Sequence, residues 1–422
     1  MSEALPSVFN FDVIKHPYEA YQRLRDEAPV HFEEALNVHV VTRYDLVREA
    51  IRDTKTFSSC FGDFLQEGQK IVFASQPEEI QQQVMEWNAK MIDIPPTMLT
   101  LDEPEHTRYR SLVNKLFTAS QIKAAQDTVQ GVIDENIENM LKSGGAADFM
   151  PEFADPVPLR IIGDRLGIPE EDREFFNLAA TDAASALRIT PLTGEQMVKR
   201  AETAVGLQEL LIKLVEARRA QPTDDMITIL ANSELEDLGR QLTHGECLSV
   251  LQQFLVAGHE TTSSAFGWGM ALLCQQPELQ DELRGNEKLI KVFCEEILRL
   301  EAPVQGLPRL VTQETELGGT KLKAGDLIML RYGAANRDER QFPKPDKLDV
   351  HRAKAGAQLA FGAGVHFCIG APLARQELNL GFLTLLDRMQ NIRMAEGVQP
   401  EAEVSFILRN LPSLLIEFEL RT

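Results

Sequence analysis

The feature that most restricts the fold is a run of mostly apolar residues over 243–275, which begins THGECLSVLQQFLVAGHETTSSAFGWGMALL. A helix of this composition is apolar on nearly every side, so it belongs in the interior of a large protein. The chain has 422 residues, which is enough to build a core around such a helix. No stretch approaches about eighteen consecutive apolar residues, so we expect neither a bilayer-spanning segment nor a membrane anchor.

Composition and charge narrow the class of protein. Hydrophobic residues make up 44% of the chain and charged residues 25%, which is typical of globular proteins. The formal net charge of −21, from 43 basic and 64 acidic residues, argues against nucleic acid as a partner. The amino terminus lacks the pattern of a signal peptide, and the odd number of 5 cysteines contains no C-x-x-C pair. We therefore expect reduced thiols and a cytoplasmic location.

Periodicity predicts a mainly α-helical fold with minor β-sheets. Helices are predicted over 17–27 and in RYDLVREAIRD, where Leu46, Val47, Ala50 and Ile51 have helical spacing. Short strands are predicted near 29–32 and 38–42, helices dominate 105–277, and the remainder mixes helices with strands. No linker or repeat interrupts the chain, so we predict a single domain over 1–422.

The most informative segment for function is FGAGVHFCIG, residues 361–370. Its glycines permit a backbone that can approach a flat ligand closely. Cys368 precedes a predicted helix, whose dipole and unpaired N–H groups favour a thiolate. Such a thiolate is a suitable axial ligand for haem iron. The alternative is a buried structural cysteine, which the six fixed positions of F-G-x-G-x-H-x-C-x-G disfavour.

This segment resembles the haem-binding loop of the cytochrome P-450 (haem-thiolate monooxygenase) family, and further motifs follow the family's order along nearly the whole chain. The resemblance implies the family fold, a large helical domain with a small β-rich region. Haem b would lie between the long buried helix and the helix after the cysteine segment. Cys368 would bind the iron, and the residues implied to line the haem are Phe361, Gly362, Gly370 and Ala257.

A second motif lies within the apolar helix. Gly258 is unfavourable inside a helix and therefore needs a structural reason. The resemblance implies that the following acid and alcohol, Glu260 and Thr261, deliver protons on the distal side of the haem. Without the cysteine segment, a surface charge and a helix-packing hydroxyl would be equally good interpretations. We interpret His259 as structural, because a second strong ligand would block oxygen.

Haem propionates need cationic or donor partners. His106 and Arg110 lie four residues apart on one face of a predicted helix. The resemblance implies that both bind a propionate, and that Arg309 and His366 are two further partners. For each of the four, the alternative is an ordinary solvated surface group.

The segment CEEILR contains an E-x-x-R motif. The resemblance implies that Glu296 and Arg299 are buried, that Arg352 joins them, and that the three support the cysteine segment. Glu295 also has a spacing that could pair with Arg299. Read without the family, the motif would be a surface pair of little energetic consequence.

The resemblance also places the substrate contacts. Some fall in the region 61–101, and the rest lie on the long helix, on a strand and near the carboxyl end. Within 61–101, the stretch PEEIQQQVMEWN suggests an added helix. These contacts are Gln253, Phe254, Val256 and Ala257 on the long helix, Val304 and Leu307 on a strand, and Ile407 and Leu408 near the carboxyl end. Their composition suggests a hydrophobic, moderately oxygenated molecule of terpenoid, steroid or alkyl-aromatic type. We expect Gln253 to bond a substrate oxygen, with a bond to a neighbouring helix as the alternative.

The expected reaction inserts one atom of O2 into a C–H bond of this substrate. Soluble bacterial members of the family receive electrons from an iron–sulfur ferredoxin and its reductase, so we expect that partner. An acidic ferredoxin would need a basic patch, for which Arg375, Arg108 and Lys115 are candidates. A peroxide-driven enzyme and a haem sensor are the alternatives, and the acid–alcohol pair disfavours both. The lack of a second cysteine at metal spacing excludes zinc, and the position of His366 disfavours a nucleophilic thiol.

Overall fold

The computed structural model describes residues 5–185, 192–235 and 238–421, and for 65–69, 71 and 185 it describes the backbone alone. The chain forms two compact units. The first comprises Met1–Ser58, Ala119–Pro158 and Glu260–Thr422, and the second comprises Ser59–Thr118 and Leu159–His259. That the whole chain is one domain stays a prediction.

Helices dominate both units, as predicted. Within the described residues they are α1 (Phe11–Lys15), α2 (Tyr18–Glu27), α3 (Tyr44–Arg52), α4 (Gly62–Ala74), α5 (Glu78–Asn88), α6 (Glu105–Asn114), α7 (Ala119–Ala124), α8 (Gln126–Leu141), α9 (Pro156–Leu166), α10 (Arg173–Ser185), α11 (Gly194–Ala220), α12 (Met226–Ala231), α13 (His244–Gln275), α14 (Glu278–Leu283), α15 (Glu287–Leu300), α16 (Tyr332–Ala335) and α17 (Ala371–Arg388).

The strands are short. In the described part of the chain they are β1 (Val30–Glu33), β2 (Val38–Val41), β3 (Phe57–Ser58), β4 (Ala146–Asp148), β5 (Glu234–Leu235), β6 (Arg240–Gln241), β7 (Gly306–Val311), β8 (Thr315–Leu317), β9 (Thr320–Leu322), β10 (Leu327–Arg331), β11 (Met389–Met394) and β12 (Leu415–Leu420). The prediction of a mainly α-helical fold with minor sheets is confirmed.

The largest sheet belongs to the first unit and has the strand order β1-β2-β10-β7-β3. Strand β10 pairs in parallel with β2 and antiparallel with β7, and in the latter register Arg309 lies opposite Ile328. A second sheet of the same unit has the order β11-β12-β4. The larger sheet therefore places Arg309 on a central strand rather than on a mobile loop.

Local sequence patterns explain several elements. In α3 the four residues with helical spacing, Leu46, Val47, Ala50 and Ile51, are all buried. Helix α11 ends at Ala220, two residues before Pro222, and the carboxylate of Asp225 caps α12 by accepting from the backbone N–H of Thr228 at 2.7 Å.

The long helix α13 has the extent predicted from its composition. In its second half, an added Cβ at Gly269 would collide with Phe382 and Ile297. These contacts explain a glycine inside a helix, since α15 and α17 approach α13 closely there. A chain of aromatic contacts, 5.2 to 5.6 Å between ring centroids, links Phe153, Phe266, Phe382 and Phe293. Among the described helices, none is long and apolar enough to cross a membrane.

The region between 54 and 104 holds more structure than its pattern predicts. The added helix expected in PEEIQQQVMEWN is present as α5. Helix α4 was not predicted, because its apolar and polar residues follow no strong period. Beside α11, the backbone N–H of Ile92 donates to Oε1 of Gln208 at 3.0 Å, so the segment after α5 is fastened to α11 within the second unit.

Candidate haem-thiolate site

The cysteine segment of the first unit has a backbone that requires glycine. Gly362 and Gly364 both have φ of +68°, a region that other residues rarely adopt. A 3₁₀ turn over Gly364–His366 follows, and α17 then begins at Ala371 with Gly370 as its N-cap. Cys368 is half-buried just before that helix, and its backbone N–H donates to the carbonyl of Phe361 at 2.9 Å. The positive end of α17 therefore favours a thiolate at Cys368.

A buried ionic cluster lies in the same unit. Glu296 accepts from Arg299 at 2.6 and 2.9 Å and from Arg352 at 2.9 Å, and the side chains of Glu296 and Arg299 are fully buried. Both arginines also donate to backbone carbonyls, including those of Lys347 and Pro343. The three-residue cluster implied by the family resemblance is thus present, and its role in supporting the cysteine segment stays a prediction.

The competing glutamate has a different partner. Glu295 pairs with Arg375 of α17 and accepts from the amide of Gln358 at 3.1 Å. The guanidinium of Arg375 also lies 4.6 Å from the ring centroid of Phe361. Arg375 therefore ties α15 and α17 to the cysteine segment, and this ion pair offsets the charge that made Arg375 a candidate for partner docking.

Arg309 is the strongest anion-binding candidate of the first unit. Its side chain is 2% exposed, and Nη1 donates to the carbonyl of Pro308 at 2.7 Å. Among the residues that the structure describes, Nε of Arg309 has no hydrogen-bond partner. A buried guanidinium with an unused donor suits a carboxylate ligand, so Arg309 fits a haem propionate. His366, the other candidate in this unit, is half-buried within the 3₁₀ turn.

The second unit carries the other two candidates for propionate binding. On α6, His106 is buried, whereas Arg110 is half-buried and donates to the side-chain oxygen of Asn114 at 3.0 Å. Burial, together with repulsion from Arg110, lowers the pKa of His106. A neutral imidazole can still donate one N–H, so His106 remains suited to a hydrogen bond rather than to an ion pair.

The first half of α13, in the second unit, holds the predicted substrate contacts. Among the described residues, Oε1 of Gln253 is a buried oxygen with no hydrogen-bond partner. Phe254 is buried, with its ring centroid 5.5 Å from that of Phe117, and Val256 is half-buried, whereas Ala257 is exposed. Gly258 has the close neighbour that its position predicts, because an added Cβ would lie 3.0 Å from Ile162.

The acid–alcohol pair begins the part of α13 that belongs to the first unit. Glu260 is 5% exposed, so the interpretation as a surface charge is wrong, and Thr261 is half-buried. Oε1 of Glu260 accepts from Nδ2 of Asn410 at 2.5 Å. In the second unit, Nδ1 of His259 lies 2.9 Å from the carbonyl of Leu255, which is consistent with a structural histidine.

The remaining predicted substrate contacts meet in the first unit. Val304 and Leu408 form an isolated antiparallel β-bridge, and the backbone N–H of Gln305 donates to the carbonyl of Ile407 at 2.7 Å. Ile407 and Leu408 are buried, and Leu307 on β7 is half-buried. The structure therefore brings the strand after the E-x-x-R motif next to the carboxy-terminal turn.

Two asparagines near the site were missed by sequence reasoning. Asn410 contacts Glu260, as described above, and Asn336 accepts the backbone N–H of Leu359 at 2.7 Å, just before the cysteine segment. Neither belongs to a motif or has a telling local spacing. A sequence signal for them would require knowledge of which distant segments meet.

Comparison with known proteins decides the family. The family model described as Cytochrome P450 matches residues 65–416. The chain belongs to the cytochrome P450 family. It is 34% identical to cytochrome P450 monooxygenase PikC of Streptomyces venezuelae, over 91% of this chain and 86% of that protein. It is also 30% identical to the steroid C26-monooxygenase of Mycobacterium tuberculosis, over 96% of this chain and 94% of that protein.

Solved structures agree with this assignment. The crystal structure of CYP109E1 from Bacillus megaterium in complex with testosterone matches with a TM-score of 0.80 and 27% identity, covering 95% of this chain and 99% of that one. The fold is therefore the cytochrome P450 fold, and the cofactor of the family is haem b. The thiolate environment of Cys368 and the unused donor of Arg309 fit that cofactor. The protein is a cytochrome P450 monooxygenase that incorporates oxygen from O2.

Proposed function

We propose that this protein hydroxylates a hydrophobic small molecule of terpenoid, steroid or alkyl-aromatic type, using O2 and two electrons from an external iron–sulfur ferredoxin. The observation that carries the proposal is the placement of Cys368 before α17, with a backbone shaped by two left-handed glycines. When bound, haem b supplies the oxygen activation that thiolate ligation promotes. The residues of the chain bind the cofactor, orient the substrate and deliver protons.

The residues proposed to bind the cofactor follow from the family resemblance. Cys368 would provide the thiolate that binds the haem iron, and Phe361, Gly362, Gly370 and Ala257 would line the haem. The four propionate partners are Arg309 and His366 of the first unit, and His106 and Arg110 of the second. Arg309 is the best supported of them, because its buried guanidinium has a donor without a partner among the described residues. Glu296, Arg299 and Arg352 keep the cysteine segment in place.

Proton handling falls to Glu260 and Thr261. Glu260 is buried and hydrogen-bonded, which suits a carboxyl that must be held at one position before it gives up or receives a proton. Thr261, the next residue on α13, contributes a hydroxyl that can both donate and accept.

A steroid is the first substrate type to test. In the first unit, the apolar side chains of Val304, Leu307, Ile407 and Leu408 suit a hydrophobic substrate. In the second unit, the same holds for Phe254 and Val256. The names of two similar proteins, the steroid C26-monooxygenase and CYP109E1 with testosterone, point the same way. The unpartnered Oε1 of Gln253 would accept a hydrogen bond from a hydroxyl of the substrate.

The electron donor is proposed from the family type, since soluble bacterial members use ferredoxins. Arg375 is paired with Glu295, which offsets part of its charge, and Arg108 and Lys115 of the second unit remain candidates for docking. Arg52 is exposed, and its backbone lies beside Gly364 in the cysteine segment, which makes it a better candidate. A cytoplasmic location is proposed because the 5 cysteines, all within the described residues, form no disulfide.

The test is turnover under ¹⁸O₂ with a ferredoxin, its reductase and a panel of steroids, followed by mass spectrometry. The proposal predicts a product that carries one ¹⁸O atom and requires the ferredoxin. Product formed equally well from hydrogen peroxide alone would favour the peroxide-driven alternative. Substrate binding without product, with every ferredoxin tried, would favour a sensor or carrier.

A further inference from the structure

A tightly held turn near the carboxyl end, residues 405–411, contacts α13 within the first unit. Its backbone is fixed on one side by the segment that precedes β7, where the N–H of Arg409 donates to the carbonyl of Pro303 at 2.9 Å. Inside the turn, Oγ of Ser405 accepts the backbone N–H groups of Ile407 and Leu408 at 3.3 and 3.0 Å. Hydrogen bonds therefore hold the backbone of this turn in place up to Arg409, the residue before Asn410.

One face of α13 binds the turn. Ser264 and Trp268 both donate to the carbonyl of Arg409, the latter at 2.9 Å. Glu260, Ser264 and Trp268 are spaced four residues apart, so their side chains follow one another along the same helical face. The guanidinium of Arg409 is itself buried, 4.4 Å from the ring centroid of Trp268, and bonds Glu301. The turn is thus anchored along two helical turns of α13.

Asn410 of the turn contacts the first residue of this face, Glu260. Its Nδ2 donates to Oε1 of Glu260 at 2.5 Å, and Asn410 and Glu260 are 6% and 5% exposed. A carboxylate can only accept, so the amide nitrogen of Asn410 must face it. A hydrogen bond that is buried away from water is stronger than one at the surface, where water competes for both groups. The bond therefore restricts the orientation of the Glu260 carboxyl.

We propose that Asn410 is a positioning residue, which holds the Glu260 carboxyl in the orientation needed for proton delivery. The inference rests on the proposed function, in which Glu260 handles protons. The same turn carries Ile407 and Leu408, the proposed substrate contacts. Asn410 therefore connects the turn that contacts the substrate to Glu260, the group that delivers protons. Displacement of the turn would change both the substrate contacts and the orientation of Glu260.

The contact itself is tested by a double-mutant cycle, which needs no turnover. Denaturant unfolding is compared for the parent, Asn410→Leu, Glu260→Leu and the double variant. If the two side chains are coupled, Asn410→Leu shifts the unfolding midpoint more in the parent than in the Glu260→Leu background. Equal shifts in the two backgrounds would show that the contact has no energetic consequence and would overturn the inference.

The role is tested with the isosteric change Asn410→Asp, which replaces the donor by an oxygen. It is expected to lower kcat by about tenfold or more, raise the solvent isotope effect on turnover and divert electrons from product to peroxide, with the substrate dissociation constant unchanged. Asn410→His, which keeps an N–H donor, should recover part of the loss. Ser264→Ala is the matched control, because it removes one of two donors to the same turn and leaves Asn410 in place.

The outcomes separate the inference from the function on which it rests. If Asn410→Asp and Ser264→Ala give the same isotope effect and the same division of electrons, Asn410 is merely structural and the inference fails, while the proposed function stands. If the parent protein forms no oxygenated product, the proposed function fails and takes the role of Asn410 with it, whatever the unfolding cycle shows.

Discussion

Glu296 and Glu260 are both buried in the first unit, but the structure holds them in contrasting ways. Glu296 accepts from two guanidinium groups, those of Arg299 and Arg352, and from the backbone N–H of Asp349 at 3.0 Å. Glu260 accepts from the neutral amide of Asn410. Two guanidinium groups hold the Glu296 carboxylate by charge-assisted hydrogen bonds, whereas the Asn410 amide brings no charge to Glu260. The first arrangement suits a scaffold and the second suits a group that exchanges protons.

A third glutamate sharpens the contrast. Glu377 on α17 is 2% exposed, and its Oε2 has no hydrogen-bond partner among the described residues. Burial raises the pKa of Glu377 to about 8, because the charged carboxylate loses its hydration. At neutral pH this carboxyl is therefore mostly protonated. The partner of a buried acid, more than its burial, decides what the acid can do.

The largest effect on folding is expected from Glu296→Gln. This change leaves two buried guanidinium groups without their carboxylate, which typically costs about 3–5 kcal/mol of the free energy of unfolding. Denaturant unfolding measures the loss. Glu287→Gln is the control, since Glu287 forms an exposed pair with Lys291 on the same helix and should leave stability unchanged. Equal losses in both variants would contradict the scaffold role of Glu296.

The complementary change is Glu260→Gln. Glutamine can still accept from Asn410 but cannot exchange a proton, so kcat should fall by about 100-fold while the substrate dissociation constant is retained. Steady-state turnover and a spectroscopic substrate titration measure the two quantities. Loss of stability comparable to that of Glu296→Gln, with kcat retained, would reverse the roles assigned to the two glutamates.

Glu377 gives a prediction for pH dependence. Its pKa in the folded protein, about 8, lies above the reference value of 4.5, so the folded state binds more protons than the unfolded state between those values. Glu377 therefore lowers the stability of the protein as pH rises from about 4.5 to 8. We expect the stability advantage of Glu377→Gln to grow across this range and then level off, as measured by denaturant unfolding. A difference that does not change with pH would contradict this account.

The smallest effect is expected from Gln253→Leu in the second unit. Losing one hydrogen bond should weaken binding of a hydroxylated substrate by about five- to tenfold. Binding of the matched substrate without that hydroxyl should not change. The free energy of unfolding should not fall either, because the variant removes Oε1 of Gln253, a buried oxygen without a hydrogen-bond partner among the described residues. Equal affinities of the variant and parent for both substrates would mean that Gln253 does not touch the substrate.

Sequence reasoning succeeded where local structure depends on neighbouring residues. The cysteine segment requires glycines, a cysteine and a helix start within ten residues, so Cys368 can be recognised directly. The spacing of Glu296 and Arg299 places them on one helical face, and the family resemblance supplied Arg352. The long apolar helix α13 follows from composition alone, because only the interior of a large protein accommodates it.

The rest could not be predicted because it depends on distant segments. Asn410 lies 150 residues after Glu260 and bonds it only because the turn of residues 405–411 packs against α13. Likewise, the spacing of Glu295 gives no sign that its partner is Arg375 of α17. Helix α4 was missed because its residues follow no clear period, whereas α5 was predicted because the region is long and contains the polar stretch PEEIQQQVMEWN.

Ligation of haem iron by Cys368 is tested most directly by the absorption spectrum of the purified protein after dithionite reduction and addition of carbon monoxide. If Cys368 is the axial thiolate, the Soret band lies at the strongly red-shifted position of a thiolate–carbon monoxide haem, and Cys368→Ser loses that band while Cys60→Ser keeps it. A band typical of histidine-ligated haem in the parent protein, or no bound haem at all, would contradict the account.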